Sequence, residues 1–149
     1  MDTSSSRSDL LINQTTEQNQ FLSKSAAVSF CIIAVLFNIC LIIQLLTVGL
    51  AYFYNPNYWR IHVWLVRGYG GLSLILMLLA YWFPLSERIR NLTISIPILL
   101  ALQFLTIHIQ TPFPFPLAIV HPLIGFTLFF ASTTLVHDVW RILSPNKEI

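Results

Sequence analysis

The chain has 149 residues, of which 56% are hydrophobic and only 9% are charged, and its mean hydropathy is +0.72. A soluble domain of this size needs more polar surface, so the composition predicts an integral membrane protein of one domain. The formal net charge is +2 and there is no basic run, which argues against a nucleic-acid partner. Cys31 and Cys40 would lie on opposite faces of one helix, so we expect packing residues rather than a disulfide.

The first element in chain order is a polar stretch, residues 1–25, predicted to be a disordered tail with a short interfacial helix at most. Four apolar segments follow at about 26–52, 59–83, 92–110 and 117–143, each near the ~20 residues that cross a bilayer. The first is too long for the core of a signal peptide, so we expect a retained anchor. A short tail, 144–149, ends the chain.

The connections between the apolar segments are short and contain proline. They lie at 55–57, 84–86 and 111–116, and the last carries three prolines in six residues. Short connections force neighbouring helices to run antiparallel, which predicts an all-α, up-down-up-down four-helix membrane bundle with the lipid bilayer as its surroundings. At this level no internal repeat is apparent, so a transporter built from repeats is not expected.

Basic residues predict the orientation of this bundle. Only Arg60 flanks the end that carries the first and third connections, whereas six basic residues lie at the end of the two termini: Arg7, Lys24, Arg88, Arg90, Arg141 and Lys147. The positive-inside rule therefore predicts a multi-pass protein of the cell membrane with cytoplasmic N and C termini.

Ionisable residues inside the apolar segments are the candidate functional residues, because burying a charge in lipid is costly unless it faces a partner. The predicted threading brings His62, His108 and His121 to the non-cytoplasmic end, and His137 to the other end beside Asp138. Histidines also suit membrane interfaces, where half of the ring is wet.

The arginines of the second segment, Arg60 and Arg67, have no carboxylate at their end of the bundle. All acidic residues fall on the cytoplasmic side: Asp2, Asp9, Glu17, Glu87, Asp138 and Glu148. Backbone carbonyls, Gln44 and Gln103 are acceptors within the chain, and a lipid phosphate or haem propionates are acceptors outside it. The alternative is that both arginines extend to the interface along one side of the helix.

His62 and His121 are predicted to be axial ligands of one b-type haem, because two imidazoles from diagonal helices at equal depth suit haem iron. Arg60 or Arg67 would lie near the propionates, and His108 is a further candidate at the same end. Small residues near each histidine, among them Gly70 and Gly125, suit either a flat cofactor or close helix packing. Pro122 either starts or kinks the fourth helix, and a start would make His121 an interfacial cap.

Several of the residues named above resemble the pattern of a known protein family. His62 with the glycines after it, Gln103 and the run from His121 to Gly125 resemble an uncharacterised family of small bacterial four-helix membrane proteins, over about residues 26–143. More distantly, a histidine in helix 2 and one in helix 4 resemble the four-helix repeat of haem A synthase and of cytochrome b561-type proteins. Ile124 departs from the polar residue expected in many relatives. The resemblance implies at most one haem, because His137 has no histidine partner at its end.

Two further interpretations stay open beside a haem-binding redox protein. One is a non-enzymatic structural or assembly subunit of a membrane complex, in which polar residues only join helices. The other is a quinone or lipid binder that uses Arg67 and the histidines. Hydrolase or transferase chemistry is not expected, because the sequence contains no paired carboxylates, no Ser/His/Asp set and no phosphate-binding glycine loop. A visible absorption spectrum would discriminate between these interpretations.

Overall fold

The computed structural model describes the backbone of residues 3–83, 85–108 and 117–144, with side chains from Lys24 onward. Every element in these ranges is helical. The four α-helices are α1 (Thr3–Phe53), α2 (Tyr58–Trp82), α3 (Glu87–His108) and α4 (His121–Leu143). A 3-10 turn, Leu117–Val120, leads into α4.

The four predicted apolar segments are confirmed as helices long and apolar enough to cross a bilayer: Lys24–Phe53, Tyr58–Trp82, Glu87–His108 and Leu117–Leu143. The third helix begins five residues earlier than predicted. The Ser86 hydroxyl accepts from the backbone N–H of Ile89 at 3.4 Å, so a serine cap starts the helix before the apolar run does. The predicted end of this segment, 109–110, lies outside the described residues.

The helices form a ring in which each contacts two neighbours. α1 packs against α2 and α4, and α3 packs against the same two helices; within the described ranges α1 does not contact α3, nor α2 contact α4. This is the predicted up-down-up-down bundle, and it places α2 and α4 diagonally, as the haem hypothesis requires.

The N-terminal region differs from the prediction. α1 begins at Thr3, so the backbone of nearly all of the region 1–25 is helical rather than disordered. The disorder prediction rested on polarity and the absence of a buried face. Neither property stops a formed apolar helix from extending, because adding a residue to an existing helix is far easier than nucleating one. No glycine or proline precedes Gly49 to end it. In the predicted C-terminal tail, residues 145–149 lie outside the described part of the chain.

The core of the bundle consists of two helical hairpins, α1–α2 and α3–α4, with matching buried positions. A shift of 59 positions carries the buried residues Phe30, Ala34, Phe37 and Leu41 of α1 onto Ile89, Thr93, Ile96 and Leu100 of α3. The same shift carries Tyr69, Ser73, Leu76 and Ala80 of α2 onto Leu128, Ser132, Leu135 and Val139 of α4, all of them buried.

The expectation of no internal repeat is therefore wrong. The hairpins run in the same direction and repeat each other around an axis along the bundle. The repeat is faint in the sequence because apolar residues replace one another freely at most matching positions, and only a few positions keep the same residue.

Candidate functional site at the histidine end

The histidine end of the bundle is formed by the turn between α1 and α2 and by the connection between α3 and α4. In the first hairpin, α1 presents Gln44 and Thr47 to the His62 ring of α2. Gln44 Nε2 lies 3.0 Å from His62 Nε2 and donates to the His62 carbonyl oxygen at 3.1 Å. His62 Nδ1 lies 3.1 Å from Thr47 Oγ1 and 3.3 Å from the Gln44 carbonyl oxygen. Both ring nitrogens of His62 are thus engaged by α1.

The position of the ring hydrogen on His62 follows from the Thr47 hydroxyl. That hydroxyl donates its only hydrogen to the Gln44 carbonyl oxygen at 2.6 Å, so its oxygen can only accept from the ring. His62 Nδ1 therefore carries the hydrogen, and Nε2 carries the lone pair that accepts from the Gln44 amide. All of these hydrogen bonds can form only with a neutral imidazole. In a doubly protonated ring, the Nε2–H group would face the N–H of the Gln44 amide, and neither could accept.

The second hairpin repeats this cluster around His121. His121 Nδ1 lies 3.1 Å from the carbonyl oxygen of Gln103 and 3.4 Å from Thr106 Oγ1. The Thr106 hydroxyl donates to the Gln103 carbonyl oxygen at 2.9 Å, as Thr47 does to Gln44. The Gln103 amide is assigned with its nitrogen toward the histidine ring, 2.6 Å from His121 Nδ1 and 3.0 Å from Nε2, and its oxygen accepts from Gly125 N at 2.7 Å.

The two clusters are counterparts in the internal repeat. Each has a glutamine, a threonine three residues later, and a histidine eighteen residues after the glutamine. Because α2 and α4 are diagonal, the histidines belong to opposite sides of the ring of helices at matching heights.

Gly125 allows the close approach of Gln103 to α4. A Cβ at position 125 would lie 2.7 Å from the terminal amide atom of Gln103 that faces it, which is inside van der Waals contact. The counterpart of Gly125 in the first hairpin is Val66, and there the amide oxygen of Gln44 is buried without a hydrogen-bond partner. The amide oxygen of Gln103 therefore has a partner, whereas that of Gln44 has none.

The start of α4 settles the question that Pro122 raised. The α-helix begins at His121 after the 3-10 turn, with Pro122 in its first turn, where a missing N–H is harmless. Val120 is the N-cap and no side chain caps the helix. His121 is therefore at a helix start, but its ring is directed to α3 rather than to the backbone of its own helix.

The other predicted site residues lie apart from the two clusters. Arg60 and Arg67 are exposed, no hydrogen bond joins either to a histidine in the described ranges, and the Arg67 guanidinium lies 5.7 Å from the centre of the Trp64 ring. His108 is exposed and its Nδ1 contacts the Phe104 carbonyl oxygen of its own helix at 2.8 Å. The propionate role of the arginines and the site role of His108 stay predictions.

His137 lies at the opposite end of the bundle, as predicted. Its Nδ1 is 3.6 Å from Asp138 Oδ1, and its side chain is 67% exposed. Asp138 pairs with Arg88 of α3, whose Nε lies 2.8 Å from Oδ2, rather than with Arg141. No hydrogen bond is aligned with Asp138 Oδ2, so charge rather than hydrogen-bond geometry holds this pair.

The residues that sequence reasoning missed are the two threonines. Gln44 and Gln103 were noted as acceptors, but Thr47 and Thr106 carried no expectation, although both are buried. The signal was present in the sequence as the pattern Gln-x-x-Thr followed fifteen residues later by His, which occurs twice. It becomes visible only when the helices are aligned as repeats.

Fold and site define a four-helix membrane bundle with two matching histidine clusters at one end. Residues 44–109 match the model of a family of unknown function, DUF6220, so the likeness covers less than half of the chain. It begins at Gln44 and includes the whole His62 cluster and the α3 part of the other cluster, but not His121. Neither the comparison with curated proteins nor the comparison with solved structures found a match.

Proposed function

We propose that this protein binds one b-type haem through His62 and His121 and acts in electron transfer within the membrane. The observation that carries the proposal is the tautomer of His62 and the matching placement of His121. His62 Nδ1–H is directed to a backbone carbonyl and a threonine oxygen of α1, so Nε2 carries the lone pair, which accepts from the Gln44 amide. His121 Nδ1 lies against the equivalent carbonyl and threonine oxygens of α3. Histidines that bind metals usually donate their other N–H in this way, which fixes the ring orientation and strengthens the ligand.

Access to the two Nε2 atoms requires the glutamine amides to move aside. The Gln44 side chain is suited to such a movement, because its buried amide oxygen has no partner and its rotation would break only the two hydrogen bonds made by its nitrogen.

Two imidazoles suffice for haem, whose four other ligands come from the macrocycle. In the described residues no group of three or more His, Cys, Asp or Glu side chains could hold a bare metal ion, so haem suits the donors better than zinc or copper.

The proposed haem, when bound, would supply one-electron chemistry. This chain would contribute the orientation and neutrality of the ligands and an apolar surrounding. Arg60, at the same end of the bundle, stays the candidate partner for the propionates, with Arg67 as the alternative. A b-type potential would depend on how well the bundle excludes water from the histidine end.

The test is expression with haem supplied, followed by absorption spectra of the purified wild type and of His62→Ala, His121→Ala, His108→Ala and His137→Ala. We expect a b-type spectrum that is lost in the first two variants and kept in the last two, which remove exposed histidines at the same and the opposite end. A wild-type protein that is folded and stable but colourless would contradict the proposal. Loss of colour in His137→Ala with normal folding would contradict the assignment of the ligands.

A second candidate function, a structural or assembly subunit, is favoured by one observation. Both ring nitrogens of His62 are already hydrogen-bonded within its hairpin, as a residue that only joins two helices would be. On that hypothesis each cluster joins the two helices of its hairpin near the turn that connects them. His62→Ala would then lower the stability of the colourless protein without changing any spectrum.

The membrane and the orientation form part of the same proposal. Four apolar helices suit a lipid environment, and we propose the cell membrane with cytoplasmic termini. The basic residues support this orientation, since six of the eight lie at the end of the two termini.

A further inference from the structure

A groove runs along the seam between α1 and α2. Its volume is about 860 Å³, within the ~300–1,000 Å³ typical of small-molecule sites. Leu36 and Cys40 of α1 form one wall, Leu65 and Leu72 of α2 form the other, and Arg60 lies at its mouth. The groove is therefore apolar along its body and cationic at one end.

The groove has the length and position of one lipid chain. From Arg60 to Leu72 it follows twelve residues of helix, or about 18 Å. Half of a bilayer's hydrocarbon core is ~15 Å deep. Aromatic pairs at the mouth, Tyr52 with Trp59 at 5.4 Å between ring centres, are typical of headgroup level. A chain that enters beside Arg60 would end near the middle of the membrane.

The charge at the mouth selects the headgroup. Arg60 makes no salt bridge in the described part of the chain. Between Glu17 and Glu87 the sequence has no carboxylate, and none occurs between Glu87 and Asp138. A phosphate would find a cationic partner here, but the ammonium group of a zwitterionic lipid would find no carboxylate. The complementary ligand is therefore a phospholipid with net negative charge.

The second hairpin has different residues at the positions that correspond to the groove lining. In the internal repeat, Gly68 corresponds to Thr127 and Arg60 to Ile119. Gly68 lines the groove, and a Cβ there would meet no atom within 4 Å, so the space above it is open. One hairpin therefore combines a cation with a missing side chain, and the other has neither.

We infer that the α1–α2 groove binds one anionic phospholipid, with an acyl chain against Gly68 and Leu72 and the phosphate at Arg60. This site does not rest on haem binding; with a lipid phosphate at Arg60, the propionates of the proposed haem would be left to Arg67. The lipid would cover the seam beside the first hairpin.

The test uses the full-length protein reconstituted in vesicles of equal parts phosphatidylcholine and phosphatidylglycerol, then extracted in mild detergent for native mass spectrometry. We expect one phosphatidylglycerol to stay bound to the wild type. Arg60→Ile and Gly68→Thr, which copy the second hairpin, should each reduce its retention about fivefold, the scale of one arginine at an anionic surface. Gly71→Thr is the matched control, because Gly71 is exposed with open space around it but does not line the groove.

Three outcomes would overturn the inference. Equal retention of phosphatidylcholine would show that the charge of Arg60 does not select the lipid. Equal losses in Gly68→Thr and Gly71→Thr would show that the groove is not the site. Displacement of the lipid by ubiquinone added to the vesicles, or a lipid-free dimer, would assign the groove to a quinone or to a second copy of the chain.

Discussion

At the scale of single residues, hydroxyl hydrogens determine what the histidines can do. Thr47 and Thr106 each donate their hydrogen to the carbonyl of the preceding glutamine, and at the first cluster this leaves the His62 imidazole with Nδ1 protonated and Nε2 as an acceptor. A serine or threonine that bonds its own helix is ordinarily unremarkable in a membrane helix. Here it sets the tautomer of a ring on the next helix, and the sequence spacing alone does not reveal that contact.

Gly125→Ala is expected to destabilise the protein although alanine favours helices. The new Cβ would force the flexible amide of Gln103 away from His121, with the loss of about 1 kcal/mol for each hydrogen bond broken. Gly71→Ala is the control, because its Cβ would meet nothing within 4 Å and should be neutral or stabilise by up to about 1 kcal/mol. Reversible unfolding in mixed detergent micelles measures both. Equal effects of the two substitutions would show that Gln103 does not depend on Gly125.

At the scale of elements, the two hairpins differ most where they meet. Asn38 of α1 donates to Ser132 Oγ at 3.1 Å and to Thr133 Oγ1 at 3.0 Å, which joins α1 to α4 and closes the ring of helices. The counterpart of Asn38 in α3 is Pro97, which lacks both an amide side chain and a backbone N–H. The α2–α3 seam therefore has no equivalent of this bridge, and the two hairpins match at many core positions but not at this seam.

Asn38→Leu should weaken the α1–α4 seam while leaving both histidine clusters in place. We expect a loss of about 1 kcal/mol, since hydrogen bonds between membrane helices average ~0.6 kcal/mol and reach ~1.7 kcal/mol. Thr134→Val is the control, because that hydroxyl bonds only the Phe130 carbonyl of its own helix. Unfolding in detergent gives the stability of both variants. A stability equal to that of the control would contradict the bridging role.

At the scale of the whole molecule, the bundle has two unlike ends. One end has the histidine clusters and Arg60, and the other has the Arg88–Asp138 pair and the basic residues near the termini. This division decides which side of the membrane any bound group would face.

The orientation can be measured with reporter fusions. A reporter active only outside the cytoplasm should be silent after Ile149 and active when inserted at Pro114, because basic flanks resist translocation. A cytoplasm-active reporter at the same two positions is the matched control and should show the opposite pattern. The reverse result would place the histidine end in the cytoplasm.

The sequence by itself determined the class and the topology of this protein. Runs of about twenty apolar residues separated by prolines admit few structures other than antiparallel helices in a bilayer, since lipid offers the backbone no partners outside a helix. Hence the four helices, the diagonal placement of α2 and α4, and the separation of His137 from the other histidines were all predictable. The helical N-terminal region was not, because polarity indicates exposure and says little about whether an existing helix ends.

Tertiary structure alone decided how the histidines are held. Gln44 and His62 are eighteen residues apart, as are Gln103 and His121, and only the packing of adjacent helices turns these separations into contacts of about 3 Å. The repeat depends equally on packing, because it consists of positions that are buried alike rather than of residues that are alike. In a membrane chain nearly every residue is apolar, so the hydrophobic pattern barely distinguishes inward from outward faces, and contacts between polar side chains make the distinction.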